Sequence, residues 1–292
     1  MLGGFYLAQF GRTIEAILAH ILIGHLRAAE HIKIEVASAM ACRHCGSSRT
    51  IKAHLIPEAF VMEVKADRGE QHLVLHEGRT KPQVSNTGVY DSNLLCGTCD
   101  GILGRYEGYA FSLLRRLRTI RAALGSIVDL GAVDGDIMLR FAAGIAWKYT
   151  ATQPQFGRIN IGPYASVLQD VALGNGPIPT TLDIALIRLV ELDGDVYFYR
   201  APVPARHGGI NSVRFSVGSF VIYLKTDKRP NDKVLPPECW LKGRSDGKFL
   251  IADAGFFTEG KLHRELANME PVRQFFGTMI ARKRERSFRV ES

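Results

Sequence analysis

Four of the five cysteines in this 292-residue chain form two pairs with a two-residue spacer, Cys42 with Cys45 and Cys96 with Cys99. This spacer lets two thiolates of one tight turn reach the same ion at about 2.3 Å, and two such turns complete a tetrahedral site of four sulfurs. A metal held by four thiolates has no open coordination position, so it builds structure and takes no part in chemistry. The spacing therefore predicts a structural Zn²⁺ site, and catalytic residues must lie elsewhere.

The fifth cysteine and a nearby histidine are not needed for this site. Cys239 has no partner at ligand spacing and is expected to be a small buried side chain. His44 lies inside the first pair and is an alternative ligand, but four cysteines already suffice. A redox-active dithiol is the alternative interpretation of the pairs.

Composition indicates an ordinary globular protein in a reducing compartment. Hydrophobic residues make up 46% of the chain and charged residues 23%, which excludes disorder as the main state. Five cysteines are too few for a disulfide-rich secreted scaffold. The apolar run over residues 16–26 is about half as long as a membrane span, so we expect a cytoplasmic protein without membrane insertion. The net charge of +8 favours a polyanionic partner.

The hydrophobic pattern divides the chain into three parts. Residues 1–39 predict an amphipathic helical extension, because leucines and isoleucines recur at helical spacing. A translation start at Met40 is the alternative for this extension, since Met40 stands two residues before the first cysteine. Residues 40–110 hold both cysteine pairs and a strand-and-loop region. Residues 111–292 predict an α+β accessory domain with a basic tail.

Helices precede strands in the predicted order of the second domain. Predicted helices cover residues 106–124, 137–145, 165–173 and, at the end, 262–281. Asp134 or Asp136 is the predicted N-cap of the second helix. A hairpin at Asp193-Gly194-Asp195 is predicted to join strands 184–192 and 196–203, and further strands are predicted at 213–224 and 249–252. The fold class is therefore α+β, with a zinc-held unit followed by a helical segment and an antiparallel sheet.

Four short segments of the first domain carry a family resemblance. They read Cys-Arg-His-Cys at 42–45, Lys-Ala-His-Leu-Ile-Pro-Glu-Ala-Phe at 52–60, Asn-Leu-Leu-Cys-Gly-Thr-Cys-Asp at 93–100, and Gly-Arg-Tyr-Glu-Gly-Tyr at 104–109. In this order and spacing they resemble the HNH endonuclease family, in particular the branch whose ββα-metal motif is held by two cysteine pairs. The likeness covers about residues 40–110 and no other part of the chain.

The resemblance implies a role for each matching residue. His54 would be the general base that takes a proton from water, and Asn93 would brace the loop. Asp100 stands where the family has its last metal-binding histidine or an acidic substitute, and Glu107 is a second acidic candidate. An imidazole with an ordinary pKa of about 6.5 suits a base at neutral pH, and carboxylates suit Mg²⁺ or another divalent cation.

The sequence also departs from the family pattern. Many members have an acid directly before the base, whereas this chain has Ala53, and Asp100 replaces the terminal histidine. The alternative for His54 is a buried structural histidine. Asp100 has the alternative role of a helix N-cap, and Glu107 that of a solvated helix residue. Two further histidines, His72 and His76, are interpreted as surface residues of a strand.

A cluster of arginines directly follows the motif and predicts a nucleic-acid surface. Its members are Arg105, Arg115, Arg116, Arg118 and Arg121. Arg115 and Arg116 are expected to point away from the apolar helix face, whereas Arg118 and Arg121 fall at its margin. The alternative is a solvated helix face with structural ion pairs. The tail over residues 282–289 is a second basic cluster.

These expectations converge on an HNH-type endonuclease that hydrolyses DNA with a divalent metal ion and His54 as general base. The alternative is a catalytically inactive zinc-binding module that binds nucleic acid or a protein partner. A protein partner or a homo-oligomer is compatible with both.

Overall fold

The computed structural model describes most of the chain after Met40. The described residues are 41–64, 72–74, 83–174, 176–191, 194–195, 198–231, 233–275 and 277–278. The predicted extension over residues 1–39 and the basic tail over residues 282–289 lie outside them. His76 also lies outside them, and His72 is described only as part of a strand.

A short two-stranded sheet opens the described chain after the first cysteine pair. Strand β1 (Ala53–His54) pairs antiparallel with β4 (Tyr90–Asp91), so that Ala53 lies opposite Asp91 and His54 opposite Tyr90. The intervening chain forms helix α1 (Glu58–Val64) and a second small hairpin of β2 (His72–Val74) and β3 (Gln83–Ser85). Pro57 directly precedes α1, where its fixed φ suits a helix start.

Helix α2 (Gly97–Arg118) follows and extends over 22 residues. Its buried side chains recur at helical spacing, from Cys99 through Leu103 and Ala110 to Leu117. At its C-terminal end, the buried guanidinium of Arg188 donates to the carbonyl oxygen of Ile120 at 2.6 Å and to that of Leu117 at 3.3 Å. The predicted domain boundary at residue 110 falls inside this helix.

Two further helices pack beside α2. Helix α3 (Gly135–Ala151) starts where Asp134 accepts a hydrogen bond from the Ile137 N–H at 2.9 Å, so Asp134 is the N-cap. Gly135 allows a close approach, because a Cβ there would lie 1.6 Å from the carbonyl oxygen of Leu241. Helix α4 (Tyr164–Ala172) packs against α3 and lies one residue earlier than predicted.

The described strands β5–β11 form a seven-stranded sheet in the order β5-β11-β6-β10-β9-β8, with β7 on β6. Their bounds are β5 (Ile127–Asp129), β6 (Leu182–Glu191), β7 (Gly194–Asp195), β8 (Arg200–His207), β9 (Ile210–Val217), β10 (Phe220–Thr226) and β11 (Lys248–Asp253). The pairs are antiparallel except for β11 with β6, which is parallel. The fold is therefore α+β with a mixed sheet, rather than the purely antiparallel sheet that we predicted.

Two strand predictions differ from the structure. The predicted strand 213–224 is two strands, β9 and β10, because the chain reverses at Gly218-Ser219, where Gly218 has a φ of +61°. At the predicted hairpin, β7 pairs with β6 over two of the described residues, and β8 pairs with β9 instead. Pro202 and Pro204 explain this, because proline lacks a ladder donor and favours the edge position that β8 occupies.

One hydrophobic core joins the two predicted domains. Phe60 of α1 packs on Phe141 of α3 with ring centroids 5.7 Å apart, and Phe141 packs on Phe215 of β9 at 6.2 Å. The buried core residues run from Cys42 to Ile251 without a break between the domains. Nothing in this core corresponds to a boundary at residue 110.

The opposite sheet face is covered by a smaller cluster and by helix α5 (Thr258–Asn268). Glu259 of α5 is buried and accepts hydrogen bonds from Arg200 at 3.2 Å and Arg214 at 3.1 Å. The predicted closing helix begins four residues earlier than expected and is interrupted at Met269. Among the helices of the described ranges, none combines the length and apolar character that a bilayer crossing requires.

We expect Arg188→Met to destabilise the protein by about 1–3 kcal/mol, because it leaves the carbonyl oxygens of Leu117 and Ile120 without their charged donor. Urea unfolding of the variant and the wild type measures this change. Arg206→Met is the matched control, since Arg206 is exposed on the edge strand β8. Equal unfolding free energies for the two variants would contradict the capping role of Arg188.

Candidate functional site

The two cysteine pairs are brought together by backbone hydrogen bonds. The first turn closes through the Gly46 N–H, which donates to the Cys42 carbonyl oxygen at 2.9 Å, and Gly46 has a φ of +72°. The second turn opens helix α2, and a bridge between Thr50 and Cys96 ties it to the first. The positions of all four cysteines therefore follow from the main chain.

The four sulfurs form a compact cluster. Their ligand atoms all lie within 4.8 Å of one another, and Cys45 Sγ is 3.5 Å from Cys96 Sγ. Tetrahedral zinc with bonds of about 2.3 Å requires sulfur separations of about 3.8 Å, which this cluster approaches. Within the described ranges, it is the one group of three or more cysteine, histidine or acidic side chains close enough to hold an ion. The cluster could hold a metal such as zinc.

The electrostatics of the cluster favour thiolate at one position. Burial alone would raise the pKa of the Cys42 thiol, but neighbouring backbone N–H groups lower it to about 7. Burial raises the pKa of Cys99, and the other cysteine sulfurs raise it further. His44 places Nδ1 3.2 Å from Cys99 Sγ, so the histidine contacts a sulfur while four sulfurs remain for the ion. A bound cation would relieve the mutual repulsion of four thiolates.

His54 lies at the end of β1, the strand that follows the first cysteine pair. Its ring meets that of Tyr90 edge-on, with centroids 5.9 Å apart. The Nε2 atom is buried and has no hydrogen-bond partner among the described residues. Burial lowers the pKa of His54 below its ordinary value, the nearby Lys148 ammonium adds to this, and neighbouring carboxylates oppose it.

Asp100 lies in the first turn of α2, one residue after Cys99. It is not the N-cap of the helix, because Cys96 occupies that position and makes no side-chain cap. Burial raises the pKa of Asp100 and Glu107 raises it further, whereas Lys148 and His54 lower it. Asp100 is therefore electrostatically coupled to the other site residues.

Glu107 is not a freely solvated residue, because it forms an ion pair with a lysine that our sequence analysis missed. Lys148 Nζ of α3 lies 2.8 Å from Glu107 Oε1 and also donates to the carbonyl oxygen of His54 at 2.7 Å. Its side chain is only 1% exposed. The sequence did indicate this residue, because Lys148 is the single charged residue in the apolar run over residues 141–149.

The loop before the second cysteine pair is braced by a buried aspartate. Asp91 accepts hydrogen bonds from the Asn93 N–H at 2.8 Å, from Thr152 Oγ1 at 2.7 Å and from the main and side chain of Gln153 at 3.2 Å. Asn93, which the resemblance implied as the brace, is held by its main chain. Asp91 was also missed by our sequence analysis, and with four donors around it the carboxylate is a structural group.

A divalent cation would find few free ligands here. His54, Asp100 and Glu107 do not form a metal-holding group in the described part of the chain. Glu107 is already paired with Lys148, so Asp100 and the exposed Glu58 are the remaining carboxylates that act on His54. One or two carboxylates fit Mg²⁺ only when substrate phosphate and water complete its shell.

The five arginines of the predicted nucleic-acid surface differ in their exposure and in their contacts within the fold. Arg105, Arg116 and Arg121 are exposed, and Arg115 is exposed but lies over the Phe111 ring at 5.6 Å and near Glu63 at 3.5 Å. Arg116 also donates to the Ala132 carbonyl oxygen at 3.0 Å. Arg118 forms a part-buried ion pair with Glu63, which agrees with its position at the margin of the apolar face and engages its charge within the fold.

Comparison of the chain with protein-family models, with curated proteins and with solved structures finds no match. Function must therefore be inferred from the geometry of the site and from the motifs of residues 40–110.

We expect the purified protein to contain about one zinc ion per chain and Cys96→Ser to lose it, because a missing thiolate opens a four-ligand site. Elemental analysis measures the metal, and thermal unfolding with and without chelator measures its contribution to stability. Cys239→Ala is the matched control, since Cys239 is buried away from the cluster and should keep the metal. Metal-free wild-type protein that unfolds cooperatively at an unchanged temperature would contradict the prediction.

Proposed function

We propose that this protein is an HNH-type endonuclease that hydrolyses DNA with a divalent metal ion. The observation that supports this most is the placement of His54. A histidine at the end of one strand of a two-stranded sheet is coupled to Asp100 and Glu107 on the following helix. The order of strand, strand and helix agrees with the ββα-metal arrangement that the motifs of residues 40–110 resemble.

Zinc would be held by Cys42, Cys45, Cys96 and Cys99 and would supply structure only. Because Cys99 directly precedes Asp100, fixing this sulfur also fixes the first turn of α2. The four-cysteine site thereby determines where the Asp100 carboxylate lies relative to β1.

His54 would act as the general base that takes a proton from water. It is suited to this task because its lowered pKa keeps it neutral at pH 7. Asp100 would hold the divalent cation together with phosphate oxygens and water. When bound, that cation supplies charge stabilisation for the phosphate and the leaving oxygen.

DNA would bind through cations near the site. Arg105 is exposed on α2, two residues before Glu107, and Lys52 is exposed beside β1, with Nζ 5.2 Å from the Tyr90 ring centroid. Such side chains contact phosphates without reading sequence, so we expect binding that weakens as salt rises.

One observation favours the alternative of a non-enzymatic zinc module. Ala53 stands where many family members have an acid, and Glu107 is engaged by Lys148, so few carboxylates are left for a cation. A site that binds metal too weakly would retain the basic surface and bind nucleic acid without cutting it.

We expect the wild type to cleave plasmid DNA with Mg²⁺ or Mn²⁺, and His54→Ala to lower the rate by about 10²- to 10⁴-fold, because the general base is lost. Gel analysis of cleavage, with DNA affinity and melting temperature measured in parallel, checks this. His207→Ala is the matched control, as His207 is an exposed histidine on β8 and should leave cleavage unchanged.

The opposite result would support the zinc module. If the wild type cuts neither single- nor double-stranded DNA or RNA with Mg²⁺, Mn²⁺, Co²⁺ or Ni²⁺, but still binds nucleic acid, the enzyme proposal fails.

We expect the cleavage rate to fall as the pH is lowered. The pH at which half of the rate is lost should lie below the ordinary histidine pKa of about 6.5. A base works in its neutral form, and burial lowers the pKa of His54, so activity persists to more acidic pH than for an exposed histidine. Measuring kcat/KM between about pH 5 and pH 8 tests this. A midpoint above the ordinary value would show that His54 is not the titrating base.

A further inference from the structure

Lys148 is placed in a region of helix α3 that otherwise belongs to the hydrophobic core. All residues from 141 to 149 are buried, and the Lys148 side chain is 1% exposed. A buried ammonium is unfavourable unless it is paired and hydrogen-bonded. Its contacts must therefore be specific, and they are found at the candidate site.

The ammonium joins two elements that are distant in sequence. It donates to the main-chain carbonyl oxygen of His54, 94 positions away, and to Glu107 Oε1, 41 positions away. One contact is on β1 and the other is on α2, the helix that carries Asp100. Lys148 therefore connects the strand of the proposed base with the helix of the proposed metal ligand.

We propose that Lys148 is a positioning residue of the candidate site, supplied by the second part of the chain, and that Glu107 is its counter-ion rather than a metal ligand. This rests on the proposed function. Lys148 fixes the distance between β1 and α2, and so the distance between His54 and Asp100. The accessory part of the chain is thus required for catalysis itself.

A purely stabilising role does not account for a lysine at this position. Replacement of a buried ion pair by apolar groups of similar volume often leaves stability unchanged or raises it. At position 148, a core helix such as α3 could pack against its neighbours through an apolar side chain. What an apolar side chain cannot provide is a simultaneous bond to a carbonyl oxygen and a carboxylate.

The test compares Lys148→Met with the double variant Lys148→Met/Glu107→Gln. The single change leaves Glu107 without its counter-ion and is expected to lower the melting temperature, whereas the double change removes both charges and is expected to restore it. At a stability equal to that of the wild type, kcat of the double variant should be about 10- to 100-fold lower, with little change in KM. The variant still binds the substrate, but His54 and Asp100 are no longer held at the correct distance.

Two further variants separate positioning from the alternatives. Lys148→Arg keeps the charge and its donors, so it should recover part of kcat. Lys242→Met is the matched control, because Lys242 donates to the Pro179 carbonyl oxygen away from the site and should leave kcat unchanged. In the double variant, which removes both charges of the pair, the Mg²⁺ concentration that gives half-maximal rate should be unchanged, and a marked increase would overturn the assignment of Glu107.

A measurement without substrate keeps this proposal distinct from the nuclease proposal. Hydrogen exchange followed by mass spectrometry should show faster exchange at β1 and β4 in the stability-matched double variant, where the Leu55 N–H donates to the Val89 carbonyl oxygen. Unchanged exchange, or unchanged kcat, in that variant overturns the role of Lys148. If the wild type never cleaves nucleic acid, the proposed function fails and exchange alone decides on Lys148.

Discussion

Helix α2 is fixed at both ends by groups that come from other parts of the chain, and the arrangement of the site depends on this. At its start, Cys96 and Cys99 belong to a four-sulfur cluster completed by a turn more than fifty residues earlier. At its C-terminal end, Arg188 of the large sheet donates to the carbonyl oxygens of Leu117 and Ile120. A helix held in this way presents Asp100 and Glu107 at set positions, two turns apart on one face.

Local features of the fold could be predicted from sequence because their causes are local. The Asp134 cap depends on a side chain three residues from its donor, and the pairing of cysteines depends on a two-residue spacer. The first and last residues of the strands were harder to predict. The turn at Gly218-Ser219 interrupts an apolar run without changing its character, and β8 is assigned to the sheet edge by the prolines within it.

The candidate site could be predicted only in part, for the same reason. His54, Asp100 and Glu107 lie in short motifs, and their residue types alone suggested their chemistry. Lys148 and Asp91 act through contacts 94 and 61 positions apart, which depend on how α3 packs against the small sheet. A lone lysine in an apolar helix signals a buried partner but does not identify it.

The ion pair of Lys148 with Glu107 changes the charge that the site offers to a substrate. Without the pair, Glu107 would add its negative charge to those of Asp100 and Glu58 near His54. With Glu107 neutralised by a fixed ammonium, the negative charge of the site is smaller by one unit. Under the proposed function, a divalent ion held there would retain more positive charge for binding to a phosphodiester. The pair would then favour a cation shared between the protein and its substrate over one bound in advance.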